Sequence, residues 1–389
     1  MILLLKFLAT MTGSKLYSLI ALQNLNSDLL AIAAKICAGT RISNEDCLLL
    51  YEKAELGFLG MLANYVRTQK TGDVVFFNKN IHIEPSNICI HNCTFCSYSK
   101  PQGDPQSWEM SIEQMKEKIA QTSENSLTEV HIVGGVHPER KLDFYCELLS
   151  EIKALRPKIQ IKAFTAVEID YMAQQAGISY AETFEKLKHA GLDAMPGGGA
   201  EILDDNLRAK ICSSKSNSAT WLAIHQAAHE SGVPTNATML YGHIETFAQR
   251  VAHLSKLRDL QDVTHGFNAF IPLKYRKENN ELALNSELPW IEDLRNFAIA
   301  RLYLDNFDHI KAYWVALGKD LAQIALDFGV NDFDGTINDS TKIYSMAGAE
   351  ESKPTLTERE MINLIHTAGR TAVERDSVYN HIHSYPHES

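Results

Sequence analysis

The sequence lacks an excess of basic residues, a regular set of paired cysteines and an apolar run long enough to cross a membrane. Its 389 residues include 37 Lys and Arg against 48 Asp and Glu, which gives a formal net charge of −11. Because phosphate binding needs a basic surface, this balance argues against nucleic acid as the main partner. The apolar start MILLLKFLAT is interrupted by Lys6 and is too short for a bilayer span. We therefore expect no nucleic-acid partner and no membrane partner.

The cysteines also lack the pattern of a secreted protein. There are seven, an odd number without even spacing, so no disulfide framework is predicted. The apolar start has no basic n-region and no small-residue cleavage site, so we interpret it as an extension, with Met11 as an alternative start. We expect a reduced, cytoplasmic protein. Four cysteines lie within helical patterns and are interpreted as buried, unreactive thiols: Cys37, Cys47, Cys146 and Cys212.

Internal repeats and low-complexity segments are also absent, and the composition is ordinary. The chain is 45% hydrophobic and 22% charged, which is enough to bury a large core. Length alone suggests two domains, but a single α/β barrel with extensions fits equally well.

From Val74 onward, apolar runs of strand length alternate with amphipathic helical patterns. The predicted strands are residues 82–86, 129–134, 159–166, 193–196, 235–241, 266–273, 309–314 and 330–334. Strands that alternate with helices predict an α/β fold with a parallel sheet, here a (β/α)8 TIM-type barrel. A doubly wound open sheet is the alternative that strand counting does not exclude. Capping boxes predict helix starts at Ser43, Ser111, Ser179 and Thr357.

Helical patterns flank this alternating region. Residues 15–70 read as helices, and we predict an N-terminal helical extension at 1–72. The barrel is predicted at 73–350, with a cluster loop at 89–96. A C-terminal helix, at 357–370, and a tail complete the chain over 351–389. Residues 380–389 are rich in His, Ser and Pro, and we predict that they are disordered.

The most specific chemistry lies in the loop after the first predicted strand. Cys89, Cys93 and Cys96 have the spacing C-x3-C-x2-C. Three thiolates from one short loop can hold three corners of a [4Fe–4S] cube and leave one iron open to a ligand that is not protein. The apolar residues 81–86 place this loop at the carboxyl end of a strand, where barrels locate their chemistry.

A zinc site is the competing interpretation of the triplet, with His91 or a distant residue as the fourth ligand. Zinc sites favour two C-x2-C pairs, and the sequence has no second pair, so we give zinc the smaller weight. A third interpretation is a structural iron–sulfur or zinc protein without catalysis. Such a protein would have no use for the glycine elements that follow later strands.

Three glycine elements follow later predicted strands. The pair at 134–135 permits close approach of a ligand to the backbone, and the triplet at 197–199 exposes N–H groups that can cradle a carboxylate or ribose hydroxyls. A Gly-x-x-Glu element at 242–245 follows the fifth strand. Taken singly, each also fits an ordinary turn, a flexible loop or the first turn of a helix.

Together these residues resemble the radical S-adenosylmethionine (SAM) enzymes. In that family the triplet holds a [4Fe–4S] cluster whose open iron is chelated by the amino and carboxylate groups of SAM. An aromatic residue precedes the last cysteine, as Phe95 does here, and paired glycines receive the SAM amino group, as Gly134 and Gly135 would. The family's acidic residue after these glycines is absent, because Val136 and His137 occupy its place.

The resemblance implies the cofactors and the residues that bind SAM. The cofactors are a [4Fe–4S] cluster and SAM, which is consumed as a co-substrate, and the electron comes from a donor such as flavodoxin or ferredoxin. The cysteine triplet holds the metal. The implied SAM-binding residues are Phe95, Tyr98, Gly134, Gly135, Gly197, Gly198, Gly199, Glu201, Tyr241 and Glu245.

Longer strings narrow the resemblance to the menaquinone-pathway group of radical SAM enzymes. They are His82-Ile-Glu-Pro-Ser-Asn-Ile-Cys89, Pro196-Gly-Gly-Gly-Ala-Glu-Ile202, Phe267-Asn-Ala-Phe-Ile-Pro-Leu273 and Asp334-Gly-Thr336. Within that group the chain most resembles the aminofutalosine synthases. These adduct-forming transferases add the 5′-deoxyadenosyl radical to the vinyl ether of 3-[(1-carboxyvinyl)oxy]benzoate. The new radical attacks the ring, the ether link rearranges and carboxylate is lost, which gives aminodeoxyfutalosine. The alternative within the group is the cyclase that abstracts hydrogen from dehypoxanthine futalosine.

A substrate with two carboxylates requires cations or backbone donors near the strand ends. Lys274 and Arg276 follow the sixth predicted strand, although a solvated charged loop would be an ordinary explanation for them. A radical reaction needs a dry cavity more than acid–base groups, so no acid–base catalyst is predicted. The remaining substrate-binding candidates at strand ends are His137, His243, Asn268 and Tyr313.

Overall fold

The computed structural model describes residues 11–22, 26–123, 127–336, 342–349 and 355–387, and the structural account concerns those residues. They form a mixed α/β fold, as the alternating sequence pattern predicts. The apolar start at 1–10, the predicted boundary at 350–351 and residues 388–389 lie outside the described residues. In the described ranges, no helix has both the length and the apolar character that a membrane crossing requires.

A layer of helices precedes the first strand, as predicted. It comprises α1 (Gly13–Ala21), α2 (Ser27–Cys37), α3 (Asn44–Lys53) and α4 (Leu56–Thr71). The capping box before α3 is confirmed, since Ser43 accepts from the backbone N–H of Asp46 and Asp46 accepts from that of Ser43. In α4, Leu59, Leu62 and Ala63 are buried at helical spacing.

The strands after this layer are short and run parallel. They are β1 (Val74–Asn78), β2 (Asn80–Ile83), β3 (Glu129–Ile132), β4 (Gln160–Ala163), β5 (Thr235–Tyr241), β6 (Phe267–Lys274), β7 (His309–Ile310) and β8 (Asp332–Gly335). β2 to β8 overlap predicted strands, whereas β1 was not predicted. The strand predicted at 193–196 is reduced to isolated bridges at Ala194 and Met195. Pro196 lacks a backbone N–H and three glycines follow it, so the ladder cannot continue.

The strands pair largely in sequence order. β2, β3 and β4 form one parallel sheet, and β5, β6 and β7 form another. The bridges Lys162↔Ala194 and Met195↔Thr235 connect β4 through the 194–195 segment to β5. A further bridge, Lys311↔Asp332, connects the end of β7 to β8, which pairs in parallel with β1. The carboxyl ends of these strands therefore meet on one side of the molecule.

Helices lie between the strands and after them. They are α5 (Ile112–Ala120), α6 (Leu142–Leu155), α7 (Ala166–Ala176), α8 (Tyr180–Ala190), α9 (Asp205–Ile211), α10 (Ser218–Glu230), α11 (Phe247–Thr264), α12 (Trp290–Tyr303), α13 (Trp314–Leu317), α14 (Lys319–Ala325), a 3₁₀ turn (Leu326–Phe328), α15 (Ile343–Met346) and α16 (Glu358–Thr367). The capping boxes predicted at Ser111, Ser179 and Thr357 are confirmed. In α5 the buried residues Ile112 and Met115 follow the helical period, and each such burial stabilises the fold by about 1.5–3 kcal/mol.

The C-terminal residues correct one prediction. β9 (Thr371–Arg375) pairs in parallel with β1, and β10 (His381–Tyr385) pairs antiparallel with β9. The predicted disorder of the tail is therefore wrong for residues 381–385. The composition of β10 conceals the strand because its side chains are largely exposed. Its ordering comes from ladder hydrogen bonds to β9 and from the Tyr385 hydroxyl, which donates to Glu358 at 3.0 Å.

Candidate active site

The cysteine loop leaves the carboxyl end of β2 and is shaped by backbone hydrogen bonds. Cys89 N donates to the Lys100 carbonyl oxygen at 3.0 Å, and Cys96 N donates to the Cys93 carbonyl oxygen at 2.9 Å. The loop thus closes on itself and presents its three thiols at the side where the strands end.

Backbone N–H groups point at two of the three sulfurs. His91 N and Val136 N donate to Cys89 Sγ, and Ser99 N donates to Cys96 Sγ, all at 3.4 Å. Such bonds favour the thiolate, which is the form that binds metal. None of the three cysteines is in a disulfide. The loop therefore fits the three-cysteine set of a [4Fe–4S] cluster.

The same loop suits a cluster better than a zinc ion. Within the described residues, no three His, Cys, Asp or Glu side chains are grouped as ligands of a single ion. A [4Fe–4S] cluster does not require such a group, because each of the three cysteines binds a different iron. A structural zinc site requires four ligands around one ion.

The paired glycines after β3 lie directly against this loop. A Cβ atom on Gly135 would lie 2.2 Å from the Ile88 carbonyl oxygen, and one on Gly134 would lie 2.9 Å from the Ser86 carbonyl oxygen. The Tyr98 hydroxyl donates to the same Ser86 oxygen at 3.0 Å. A larger residue would push β3 away from the loop, so the glycines hold the β3 end beside the cysteines.

A buried carboxyl group that was not predicted reaches the same glycines from the start of α7. Glu168 accepts from Thr165 N at 2.7 Å and from Thr165 Oγ1 at 2.9 Å, and it also accepts from the backbone of Gly134. Burial raises the pKa of Glu168 to about 7, although these hydrogen bonds oppose the rise. The signal in the sequence was the capping-box spacing from Thr165 to Glu168. Glu168 therefore places a carboxyl group beside Gly134 and Gly135, the glycine pair that lacks the acidic residue expected after it.

The glycine triplet is packed between β4 and β5. A Cβ atom on Gly197 would lie 2.5 Å from the Asn236 carbonyl oxygen, and one on Gly198 would lie 2.7 Å from Thr165 Cγ2. Gly199 has a φ of +86°, which favours glycine. Close packing therefore accounts for Gly197 and Gly198 and the positive φ for Gly199, in addition to the ligand contact that the sequence suggests.

Beside the cysteine loop, the buried Glu201 groups with the half-buried Lys215 and Phe95. Lys215 Nζ donates to Glu201 at 2.7 Å and lies 5.3 Å from the centre of the Phe95 ring. Burial opposes ionisation of Glu201, but the charge and hydrogen bond of Lys215 lower its pKa below the ordinary value. Lys215 was not predicted, because a lone lysine in a polar loop carries no sequence signal.

The polar groups of the Gly-x-x-Glu element at 242–245 form hydrogen bonds with other groups of the protein itself. Glu245 accepts from Gly242 N at 2.6 Å, from His243 N at 2.8 Å and from the Arg250 guanidinium at 2.6 Å. His243 Nε2 lies 3.0 Å from the Leu240 carbonyl oxygen. The ligand-binding roles of Glu245 and His243 stay predictions.

Tyr241 and Lys274 bond to a helix outside the strands, and Lys274 lines a cavity, shared with Arg276, that is separate from the one described next. Lys274 Nζ donates to Asp293 at 2.7 Å and to the Leu288 carbonyl oxygen at 2.7 Å. The Tyr241 hydroxyl donates to the other oxygen of Asp293 at 2.8 Å. On β6 the preceding residue, Leu273, lines the cavity described next, so strand alternation turns Lys274 to the opposite side.

Three further residues that were predicted to bind substrate have hydrogen-bond partners outside the cavity that is described in the next paragraph. Arg276 donates to the Gly348 carbonyl oxygen at 2.7 Å. Asn268, near the amino end of β6, donates to the Ser377 carbonyl oxygen at 3.2 Å. His137 is buried, and its Nδ1 accepts a backbone N–H at 3.1 Å. Substrate contacts by these residues stay predictions.

A cavity of about 200 Å³ is lined by residues of β2 to β6, of β8 and of the segments that follow the strands. It brings together three predicted site residues, Gly197, Gly198 and Tyr313. Its lining also includes charged and polar side chains that were not predicted: His82, Glu129, His131, Lys162, Lys311 and Asp334.

Three of the unpredicted residues form a row across neighbouring strands. His82 pairs in register with His131, and His131 pairs with Lys162. The two imidazole rings stack with their centres 4.5 Å apart. Burial lowers the pKa of His82 to about 4 and that of His131 well below its ordinary value, so both rings are neutral near pH 7. The available signal was the alternation of polar residues along each strand: Asn80 and His82, Glu129 and His131, and Gln160 and Lys162.

Segments after β7 and β8 cover the cavity. Ile343 and Tyr344 of α15 line it, and the Tyr344 ring lies 5.2 Å from the Tyr313 ring. The Glu84 carboxylate accepts from Lys342 N at 2.8 Å and so holds the start of α15. Strand ends thus form the floor of the cavity, and a short helix forms part of its cover.

Comparison with known proteins places the chain in a family. Residues 83–257 match the model of the Radical SAM superfamily, and residues 264–387 match that of the CofH/MqnC C-terminal region. The chain is 44% identical over 358 residues to an aminodeoxyfutalosine synthase of Thermus thermophilus, a match that covers 91% of this chain and 96% of that protein. It is 40% identical over 362 residues to an aminodeoxyfutalosine synthase of Streptomyces coelicolor, which covers 90% and 93% respectively.

Two further comparisons are less close. A cyclic dehypoxanthine futalosine synthase of Streptomyces coelicolor is 36% identical over 360 residues, covering 92% of this chain and 89% of that protein. The solved structure of methylornithine synthase (PylB) superposes with a TM-score of 0.70 at 18% identity, covering 87% of this chain and 96% of that one, which shows the shared α/β fold. Radical SAM membership implies a [4Fe–4S] cluster and SAM as a co-substrate. The chain therefore belongs to the radical SAM superfamily of enzymes and, within it, to the aminodeoxyfutalosine synthase family of the menaquinone pathway.

Proposed function

We propose that the protein adds the 5′-deoxyadenosyl group of SAM to 3-[(1-carboxyvinyl)oxy]benzoate and thereby forms aminodeoxyfutalosine. The observation that carries the proposal is the 44% identity to the Thermus thermophilus enzyme across 96% of its length. The alternative, hydrogen abstraction from dehypoxanthine futalosine, has the support of a less close match at 36% identity.

The proposal includes closure of the parallel strands into a (β/α)8 barrel. Its support is the chain of pairings from β2 through β7, the bridge from β7 to β8, and the pairing of β8 with β1. A single residue, Lys79, separates β1 from β2, so the bent strand that they form joins both ends of the series. In this organisation residues 1–72 extend the barrel at 73–350, and residues 351–389 add α16 and two strands to its β1 edge.

The cysteine loop and its surroundings would bind the cofactors. Cys89, Cys93 and Cys96 would hold the [4Fe–4S] cluster, which supplies the electron that splits SAM into methionine and the 5′-deoxyadenosyl radical. The ion pair of Glu201 and Lys215 lies beside this loop and offers one anion and one cation to the polar groups of SAM.

The cavity would exclude water from the reacting groups. Apolar side chains form part of its wall, and the neutral imidazoles of His82 and His131 add a flat surface. Tyr344 of α15 covers the opening of the cavity. A dry site protects a reactive radical from side reactions, which is what adduct formation requires of the protein.

An electron donor and a location complete the proposal. The donor would be a flavodoxin or ferredoxin, and the protein would act in the cytoplasm, with no nucleic-acid partner. The support for the location and for the lack of a nucleic-acid partner is compositional: seven free cysteines and an acidic net charge of −11.

The test is incubation of anaerobic, reduced, cluster-loaded protein with SAM and 3-[(1-carboxyvinyl)oxy]benzoate. We expect mass spectrometry to detect aminodeoxyfutalosine together with methionine. Formation of 5′-deoxyadenosine without the adduct would contradict the proposal. Conversion of dehypoxanthine futalosine by the same preparation would establish the alternative instead.

A further inference from the structure

We propose that Lys162 and Lys311 bind the two carboxylates of the substrate, one each, inside the cavity of about 200 Å³. This inference rests on the proposed function, because that function supplies an aromatic substrate with two carboxylates. It differs from the prediction based on sequence, which gave this role to Lys274 and Arg276.

The first support is the polar character of the layer that contains Lys162. Parallel barrels ordinarily fill such layers with branched apolar side chains. Here His82, His131 and Lys162 are consecutive register partners on β2, β3 and β4, and all three line the cavity. A layer built from two imidazoles and an ammonium is organised for binding rather than for core packing.

The second support is the number of hydrogen-bond donors that the two lysines carry. Lys162 Nζ donates to Glu129 at 2.7 Å, and Lys311 Nζ donates to Asp334 at 2.8 Å and lies 4.0 Å from Asp332. Each ammonium has three N–H donors, so these bonds account for one of the three on each side chain. Both lysine side chains are at most 3% exposed, so bulk water does not reach the remaining donors. A carboxylate in the cavity would accept them as charge-assisted bonds.

The third support is the position of the lysines relative to apolar wall residues. Val133, Ile271 and Leu273 line the same cavity and suit a benzene ring. Lys162 lies on β4 and Lys311 follows β7, two strands that are not paired with each other. The two lysines thus reach the cavity from different strands, at a separation at which the charge of Lys311 still acts on Lys162. This arrangement matches a ligand with an apolar body and an anionic group on each of two arms.

Lys274 and Arg276 have other partners. Lys274 bonds to Asp293 and to a backbone oxygen, while Arg276 bonds to Gly348. Neither lines this cavity, and both line a separate one beside Trp290 and Trp314. The two cations of the cavity wall are therefore the better candidates for the substrate carboxylates.

The test combines substitutions in the protein with changes in the ligand and measures the affinity of each combination. Affinities are measured by calorimetry on cluster-loaded, unreduced protein with SAM bound, so that no turnover occurs. The ligands are 3-[(1-carboxyvinyl)oxy]benzoate and two analogues in which either the ring carboxylate or the enol-ether carboxylate is a carboxamide. The protein variants are Glu129→Gln/Lys162→Met and Lys311→Met/Asp334→Asn. Each double variant removes an ion pair as a unit, and Asp332, which also faces Lys311, keeps its bond to Arg375, so no buried charge is left alone.

We expect wild-type protein to bind each carboxamide at least tenfold more weakly than the diacid. Each double variant should lose this discrimination for one of the two analogues and retain it for the other. Retention of tenfold discrimination against both analogues by both variants would overturn the inference. So would an equal loss of affinity for all three ligands, because that result indicates a structural role only.

Two controls separate this inference from the proposed function. Lys153→Met changes a lysine that is paired with Asp193 outside the cavity, and it should leave all three affinities unchanged. Adduct formation by wild-type protein tests the reaction itself. If wild type forms the adduct while the variants keep full discrimination, the inference fails and the function stands. If wild type neither forms the adduct nor binds the diacid, both fail.

Discussion

Tyr241 and Lys274 are register partners on β5 and β6, and their side chains share one carboxylate, that of Asp293 on α12. The two bonds, at 2.8 and 2.7 Å, tie adjacent strands to the helix that packs outside them. Leu273, the residue before Lys274 on β6, lines the cavity. Adjacent residues of β6 thus have different roles: Lys274 ties the strands to α12, and Leu273 forms part of the cavity wall.

Lys274→Met should lower stability and leave the KM for the proposed benzoate substrate nearly unchanged. Removing one partner of a buried ion pair leaves Asp293 without its cation, which costs about 3–5 kcal/mol. Urea unfolding measures the first effect and steady-state kinetics the second. Lys277→Met, at an exposed lysine nearby, is the matched control and should change neither quantity. A raised KM with unchanged unfolding would instead restore Lys274 to substrate binding.

Lys274 was predicted to bind substrate and Lys162 was not, and this contrast shows which features of the site the sequence could predict. The cysteine spacing and the glycine elements are local, so their places at strand ends followed from the alternating pattern. The direction of a lysine depends on strand register, and register depends on pairing between distant segments. Lys274 was assigned to the site because it ends a strand, yet its partner Asp293 lies on a later helix.

Lys162 and His131 carried a weak signal that was not used. Each lies two residues after another polar residue of its strand, Glu129 or Gln160, and a polar side chain is costly to bury without a purpose or a partner. The partners are Glu129 for Lys162 and the His82 ring for His131. The tail was misjudged for a similar reason, since β10 depends on pairing with β9 rather than on its own apolar pattern.

Cys93→Ala should abolish cluster binding. The triplet offers three thiolates for three irons, and loss of one leaves two, which is too few to retain a [4Fe–4S] cluster with an open iron. Iron content and visible absorbance after anaerobic reconstitution measure the result. Cys212→Ala replaces another buried cysteine outside the triplet and should retain full iron. Full cluster content in Cys93→Ala would refute its assignment as a ligand.

Glu168→Gln should stabilise the protein more at pH 8 than at pH 5. Burial raises the pKa of Glu168 from its ordinary 4.5 to about 7, so the native chain binds more protons than the unfolded chain between those values. Stability from this group therefore falls as pH rises through that window. The variant removes the dependence, and the difference between the two pH values should be about 1–3 kcal/mol by urea unfolding.

The matched control for this pH effect is Glu182→Gln. Glu182 has the same capping-box role on α8 but is exposed, and hydrogen bonds from Ser179 lower its pKa. It is fully ionised at both pH values, so its substitution should have the same effect on stability at pH 5 and pH 8. A Glu168→Gln profile parallel to wild type would show that Glu168 is ionised throughout this range.

Arg276→Met should uncouple SAM cleavage from adduct formation. Arg276 donates to the Gly348 carbonyl oxygen at 2.7 Å, and Gly348 lies two residues after α15, whose Tyr344 covers the cavity. Without this bond the cover loosens and water or reductant reaches the radical. The ratio of 5′-deoxyadenosine to aminodeoxyfutalosine should rise several-fold, measured by chromatography of single reactions. Lys277→Met, which changes the adjacent cation without touching Gly348, should keep the wild-type ratio. If Arg276 instead binds a substrate carboxylate, its variant should raise the KM while the product ratio stays constant.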